Sequence, residues 1–341
     1  MKNLFITGGA GFIGSAFVRL VLAALPDCRI TNFDALTYAG NPDNLQDLEQ
    51  SRHRLVRGDI ADPDAVRAAL EEGTDAVFNF AAESHVDRSI ASAAEFVRTN
   101  VVGTQVLLDV ARERAVPRFI HISTDEVMGS LPEVDNAFFT EASPYEPNSP
   151  YAASKAAAEH FVRAAHHTFG LDTVITRCGN NYGPRQFPEK LIPLLLSNAL
   201  RDEPIPVYGD GRNVRDWIYV DDHCRAILLA AQRGHAGDVY NIGARNERRN
   251  IEVVHSILDA LGKPHSLIRY VKDRLGHDRR YAIDPAKVES ELGWRPQETW
   301  ESGLDKTIRW YQDNPQWVER ARSGAYREFY AQQYGVEVGG Q

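Results

Sequence analysis

The chain has 341 residues, 43% of them hydrophobic and 25% charged, and carries a formal net charge of −9 at pH 7. This composition suits a folded globular protein of one large domain or two modest ones, which sets disorder aside. The acidic balance excludes a nucleic acid held through its phosphates, which needs a basic field, but leaves room for a small phosphorylated ligand held by a few cations and backbone N–H groups.

The first strand-like run, "NLFITG", follows the amino terminus without a basic leader or cleavage site, so secretion is not expected. It enters "TGGAGFIG", which sets Gly8, Gly11 and Gly14 at a GxxGxxG spacing, with Phe12 and Ile13 in the same turn, just before the helical "SAFVRLVLAAL". Glycine there lets the backbone turn tightly and approach a pyrophosphate, which then sits on the N–H groups of the helix N-terminus. A strand before and a helix after provide the context the motif requires. The second strand, "RITNFD", ends in Asp34, where an acid accepts from the adenosine ribose hydroxyls and repels a 2′-phosphate, favouring NAD over NADP. Asp59 and Ile60, after "RLVRGDI", are expected to border the adenine.

Further strands "DAVFNFA", "RFIHIST" and "DTVITRC" alternate with amphipathic or alanine-rich stretches. The alternation predicts a Rossmann-type, doubly wound parallel α/β sheet, covered on both faces because its strands are almost continuously apolar. Thr124, Asp125 and Glu126 fall at the carboxyl end of the fifth strand, where an open α/β sheet binds ligands. Tyr151 and Lys155 open "YAASKAAAEHFVRAA" one helical turn apart, and a nearby ammonium can lower a phenol's pKa towards neutrality. From about Arg177 the chain becomes Pro/Gly-rich, which predicts a smaller substrate-binding region, while "DVYNIG" is expected to return to the main sheet. The expected domains are 1–178 plus about 214–244 for NAD, and about 179–213 plus 245–335 for substrate. The run "KLIPLLLSNAL" is far shorter than the roughly 18 to 20 residues of a membrane span, so no membrane partner is expected. Cys28, Cys178 and Cys224 are too scattered for disulfides or zinc, and no H-x-x-x-H spacing supports a metal; a cytoplasmic location is expected.

Together "TGGAGFIG", "DALTYAGN", "FAAESHVDRSI", "STDEV", "PYAASKAAAEH", "NNYGPRQFPEKLIP", "RDWIYVDDHC" and "DRLGHDRRYAID" resemble the dTDP-glucose 4,6-dehydratases of the extended short-chain dehydrogenase/reductase superfamily, from Met1 to about Trp310. The resemblance implies an NAD-dependent dehydration of a nucleotide-activated hexose. Tyr151, helped by Thr124, would deprotonate the C4 hydroxyl as hydride leaves C4. Glu126 would then take the C5 proton while Asp125 protonates the departing C6 hydroxyl, and hydride would return to C6. Adjacent carboxyls can divide these roles if burial and mutual repulsion separate their pKa values.

The resemblance also implies that Ala81, Ala82 and Ser84 line the nicotinamide side, with Asn100 supporting the backbone, and that Asn180 meets the sugar or diphosphate. Glu189, Lys190, Leu191, Pro206, Tyr208, Arg215, Asn250, Arg274, His277 and Tyr281 would surround the nucleotide. His85 is a further substrate-side candidate. Arg215 and Arg274 carry the strongest physical case, since guanidinium matches phosphate bidentately. A homodimer through helices at about 94–114 and 151–169 is implied as well. The family usually has Tyr where this chain has Met128, and Ser or Cys where it has Gly179; Met128 is expected either to alter sugar fit or, the favoured reading, to fill a core gap, and Gly179 to alter packing beside the nicotinamide. An epimerase of the superfamily would lack the Asp-Glu pair, and an inactive NAD-binding sensor would lack Tyr151, Lys155 or Glu126. A dehydratase acting on a UDP-sugar remains the alternative.

Overall fold

The computed structural model describes residues 1–133 and 136–323; the end of the expected substrate region, 324–335, lies outside the described residues. Twelve strands occur in it: β1 (Asn3–Thr7), β2 (Arg29–Asp34), β3 (His53–Arg57), β4 (Ala76–Asn79), β5 (Arg118–Thr124), β6 (Thr173–Cys178), β7 (Asn180–Tyr182), β8 (Ile205–Tyr208), β9 (Val214–Tyr219), β10 (Val239–Ile242), β11 (Glu247–Arg249) and β12 (Ile268–Val271). Seven form one sheet in the order β10-β6-β5-β4-β1-β2-β3, every neighbouring pair parallel. The chain winds outward in both directions from β1, so β1 and β4 part at their carboxyl ends and open a crevice. Thr7 Oγ1 donates to Asn79 Oδ1 at 2.7 Å and accepts from the Ala81 N–H at 3.2 Å, which ties the two strands at that point.

Alternation along the strands fills both faces. Leu4 and Ile6 of β1 pack with Phe17, Phe78 and Ile227 on one side, whereas Phe5 packs with Phe33, Leu107 and Val162 on the other, as the two-residue period of a strand requires. A separate cluster built on Leu195, Trp217, Val253, Ile257 and Trp300 holds the smaller lobe. That lobe contains the three-stranded sheet β11-β9-β7 and the pair β12-β8. The chain rejoins the large layer at the helix Val220–Arg233 and β10, later than the expected 214, because β9 pairs with β7 and β11 instead.

The helix Pro150–Phe169 shows how local sequence sets an element. Ser149 caps it by accepting from the Ala152 N–H at 3.1 Å, Pro150 occupies the first turn, alanines fill the middle, and Gly170 ends it at φ +71°. It packs beside the helical segment running from Ala94 through a π-helical stretch, Val97–Gly103, to Glu113.

Beneath the end of β5, Arg177 and Glu159 form an ion pair at 2.7 Å, exposed by 1% and 0%. Glu159 also accepts from Ser123 Oγ and from Tyr145 Oη. Removing one partner of a fully buried pair strands the other charge. Glu159→Ala is therefore expected to destabilise the protein by about 3–5 kcal/mol, seen as a lower urea midpoint at unchanged slope.

Candidate active site

The crevice is a cavity of about 350 Å³ that runs from the glycine turn to the ends of β5 and β6. Gly8 sits at φ +68°, and a Cβ there would lie 2.6 Å from the Ala81 backbone nitrogen; one on Gly14 would lie 2.2 Å from the Gly8 carbonyl oxygen. Gly11 differs: its Cβ would meet only the Gly8 carbonyl oxygen, at 3.3 Å, and would otherwise project into the crevice. Gly11 also caps the helix Phe12–Ala24 without a side-chain acceptor, so the first-turn N–H groups face an anion unopposed. Gly8 and Gly14 thus let the backbone close up, and Gly11 leaves the space a pyrophosphate needs. Phe12 and Ile13 line the same wall.

Asp34 lines the crevice but is already engaged, Oδ2 accepting from the Ala10 N–H at 2.9 Å and Oδ1 from the Leu36 N–H at 2.8 Å. Its remaining lone pairs suit ribose hydroxyls. Burial raises its pKa, against the pull of those N–H groups. Asp59 and Ile60 line the far end, where Arg98 pairs with Asp59 at 2.6 Å and Gly103 makes room for the Ile60 side chain. Ala81, Ala82 and Ser84 line the opposite wall. Asn100 holds their loop by accepting from the Glu83 N–H and donating to the Glu83 carbonyl oxygen, each at 2.9 Å. A further bond to Ser154 Oγ at 2.8 Å joins that loop to the Tyr151 helix.

Thr124, Glu126, Tyr151 and Lys155 line the crevice together. β5 turns at Thr124 into a single 3₁₀ turn, Asp125–Met128, capped when Thr124 Oγ1 accepts from the Glu126 N–H at 3.2 Å. Asp125 points inward, is 2% exposed, and has one carboxyl oxygen with no protein hydrogen-bond partner. Burial, then the Glu126 carboxylate, pushes its pKa well above the ordinary carboxyl range, although Arg215 opposes them. Glu126 is also raised by burial, but Arg274, Lys190 and Arg215 all favour its charged form. The pair is split as two roles require: Asp125 holds its proton more firmly than Glu126.

Tyr151 departs from expectation. Burial, followed by Glu126, Cys178 and Asp125, drives its pKa well above the usual phenol value, with only the Thr124 hydroxyl bond pulling it down. Lys155 Nζ instead donates to the Ile122 carbonyl oxygen at 2.7 Å, and burial brings its own pKa down to about 8. Burial and the Glu126 carboxylate thus oppose ionisation of the phenol, and a positive charge brought into the crevice would favour it.

On the substrate side, Asn180, Glu189 and Lys190 line the cavity. Lys190 Nζ donates to the Ser84 carbonyl oxygen at 2.6 Å. Glu189 pairs with Arg88 at 3.1 Å, and burial raises its pKa to about 7. Arg215 stacks over the Tyr281 ring at 4.3 Å and donates to the Asp278 carbonyl oxygen at 2.9 Å, while Tyr281 Oη donates to the Asp278 carboxylate. His85 approaches the Glu189 carbonyl oxygen at 3.4 Å, and burial pushes its pKa well below the usual imidazole range. His277 bonds Asp273 at 2.6 Å and faces Tyr208, and burial lowers its pKa to about 4. Arg274 and Asn250 each keep a buried polar side-chain atom without a protein partner, free for a ligand. Leu191 packs on the small-lobe core, and Pro206 sits in β8 opposite Arg269; both act as scaffold around this end.

Sequence reasoning missed Arg98, Glu159, Arg177, Asp216 and Asp278. Glu159, Asp216 and Asp278 carried a signal, lying inside the "PYAASKAAAEH", "RDWIYVDDHC" and "DRLGHDRRYAID" segments. Met128 is 2% exposed, packs with Val127, Phe139, Ala156 and Tyr281, and turns its sulfur to Arg177 Nη1 at 3.6 Å. It fills the core as expected. At Gly179 a Cβ would lie 2.7 Å from the Asp216 carbonyl oxygen, a contact a larger residue relieves only by moving the strand.

The GDP-mannose 4,6 dehydratase family model matches residues 5–307. A dTDP-glucose 4,6-dehydratase of Xanthomonas campestris pv. campestris is 52% identical over 96% of this chain and 98% of its own length; one of Salmonella typhimurium is 50% identical over 97% and 99%. The solved structure of DesIV, a dTDP-glucose 4,6-dehydratase of Streptomyces venezuelae with NAD and dTDP bound, has a TM-score of 0.90 at 52% identity over 94% of this chain and 100% of that one. A UDP-glucose 4-epimerase of Thermus thermophilus with NAD shares the fold at a TM-score of 0.85 but only 29% identity, over 92% of this chain and all of its own. With half its residues shared with dTDP-glucose 4,6-dehydratases over nearly its whole length, the chain belongs to that family.

Proposed function

We infer that the protein converts dTDP-glucose to dTDP-4-keto-6-deoxyglucose. The observation that carries this reading is the Asp125–Glu126 pair at the end of β5, one acid buried with an unpartnered carboxyl oxygen and its neighbour lining the crevice, where three cations favour its charged form. The glycine turn, Asp34, Asp59, Ile60, Ala81, Ala82 and Ser84 would hold NAD, and Arg215, Arg274 and Lys190 would face the diphosphate. When bound, NAD would supply a hydride acceptor for C4 and a donor for C6, and the positive charge of its ring would favour the ionised Tyr151 phenol. Tyr151, beside the Thr124 hydroxyl, takes the proton of the C4 hydroxyl. The new ketone acidifies C5–H, and Glu126 removes that proton. Asp125 delivers its own proton to the C6 oxygen, which leaves as water. Glu126 then returns a proton to C5. Lys155 anchors the Tyr151 helix to the strand end.

For location and assembly we propose the cytoplasm and a homodimer. No described helix is long and apolar enough to cross a membrane, and Cys28, Cys178 and Cys224 are unbridged. The neighbouring helices expose the apolar side chains Val97, Val102, Phe161 and Phe169, and apolar surface of this kind marks a protein contact. Phe161→Glu combined with Val97→Glu is expected to halve the mass seen by sedimentation while leaving the circular-dichroism spectrum unchanged.

Incubation with dTDP-glucose is expected to yield the 4-keto-6-deoxy product, with UDP-glucose turned over more slowly; product from neither would overturn the reading. Glu126→Gln should abolish deuterium uptake at C5 from heavy water. Asp125→Asn should retain that uptake and slow water loss by roughly 10²–10⁴-fold. Turnover should follow a bell in pH, falling on the acid side as Glu126 gains its proton, above the ordinary carboxyl range, and on the alkaline side as Asp125 loses its own.

A further inference from the structure

Three segments far apart in the chain wall the crevice. Thr37 and Ala39 come from the loop that follows Asp34, Glu83 and Ser84 from the loop after β4, and Glu189 and Lys190 from the stretch that leads into the small lobe. One guanidinium joins all three. Arg88 lies just beyond Ser84, on the short helix Val86–Ala91. Its Cζ stands 4.0 Å from the centre of the Tyr38 ring, while Nε and Nη2 both donate to Glu189 Oε2, at 3.2 and 3.1 Å. The Glu189 side chain is 2% exposed and that of Arg88 26%, so the pair is largely withdrawn from water, where charge-assisted bonds are strong. Direct contacts reinforce the join: Tyr38 Oη donates to Glu83 Oε2 at 3.0 Å, Lys190 Nζ to the Ser84 carbonyl oxygen at 2.6 Å, and the Tyr38 and Phe187 rings meet edge-on at 5.9 Å. A guanidinium can lie against a ring and donate through its fork at the same time, which an ammonium cannot.

We propose that Arg88 is a positioning residue that keeps the cofactor in the crevice through the whole cycle, by fastening the ribose-side wall to the small lobe. The proposal rests on the dehydratase reading, in which the hydride taken from C4 returns to C6 of the same sugar. A cofactor lost between the two transfers would carry that hydride away as NADH and leave one sugar oxidised by two electrons, and a fresh NAD from solution would have to refill the site. The walls must therefore hold the dinucleotide for longer than one turnover while sugar nucleotides come and go. Arg88 does this through its two partners. Tyr38 belongs to the loop whose Asp34 would take the ribose hydroxyls, and Glu189 precedes Lys190 at the sugar-nucleotide end. Without the guanidinium, the ribose-side loop loses its charged tie to the lobe and keeps only the Tyr38 contacts with Glu83 and Phe187.

The test is cofactor exchange. Protein loaded with NAD is diluted into an excess of radiolabelled NAD, without sugar, and uptake of label is followed by rapid filtration. Arg88→Ala should exchange about ten- to a hundredfold faster than wild type, and Arg88→Lys, which keeps the charge for Glu189 but loses the fork and the ring contact, should fall between them. During turnover of dTDP-glucose, Arg88→Ala should release NADH into the filtrate, seen by its absorbance at about 340 nm, and its falling rate should recover on adding NAD. Should Arg88→Ala fail to fold, Tyr38→Leu, which removes the ring and the Glu83 bond, decides by the same exchange. Unchanged exchange in a folded variant overturns the proposal, even where the urea midpoint falls, since Arg88 is then a brace of the fold alone. The exchange needs no sugar, so a wild-type protein that loses no water from dTDP-glucose overturns the dehydratase reading without deciding the exchange result.

Discussion

Two adjacent carboxyls at a buried strand end repel one another, and their differing surroundings turn that repulsion into a division of labour. Asp125 is turned inward, with burial and Glu126 both favouring its neutral form, while Glu126 looks out at Arg215, Arg274 and Lys190. The rest of the molecule serves this asymmetry. The large sheet supplies a dry floor, and the small lobe supplies the cations, so neither alone makes an acid and a base from the same short turn.

The same economy of charge governs the floor. Glu159 and Arg177 neutralise each other below β5, with Ser123, Tyr145 and Met128 satisfying their remaining polar edges. Thr124 and Lys155 are joined to that layer through the end of β5, since Lys155 bonds the Ile122 carbonyl oxygen. The reactive turn is thus built on strands and a capped helix, not on a mobile loop, which suits chemistry that must place three proton-transfer groups around one sugar ring.

Much of this was legible because it is local. The glycine spacing, the Asp34 strand end, the Tyr151–Lys155 turn and the acid pair are each written within a few consecutive residues, and periodicity places them on the correct elements. What stayed hidden is pairwise and distant. Arg98 reaches Asp59 and Arg177 reaches Glu159 across separations that no single segment reveals. Tyr151 differs from expectation for a related reason: a shared helix face brings Lys155 close in sequence terms, but the ammonium goes to a backbone carbonyl while burial and the Glu126 carboxylate raise the phenol's pKa. Met128 was the simpler case, a flexible side chain completing a core.

The late return of β10 to the large sheet has a consequence for how the chain is made. β6 pairs with β5 on one side and with β10 on the other, yet β10 is separated from it by the strands and helices of the small lobe. As the polypeptide leaves the ribosome, the outer edge of β6 is an open row of hydrogen-bonding groups beside an apolar face until residues 239–242 emerge. The lobe that carries the substrate cations is also the stretch of synthesis during which the nascent sheet is most exposed to wrong partners.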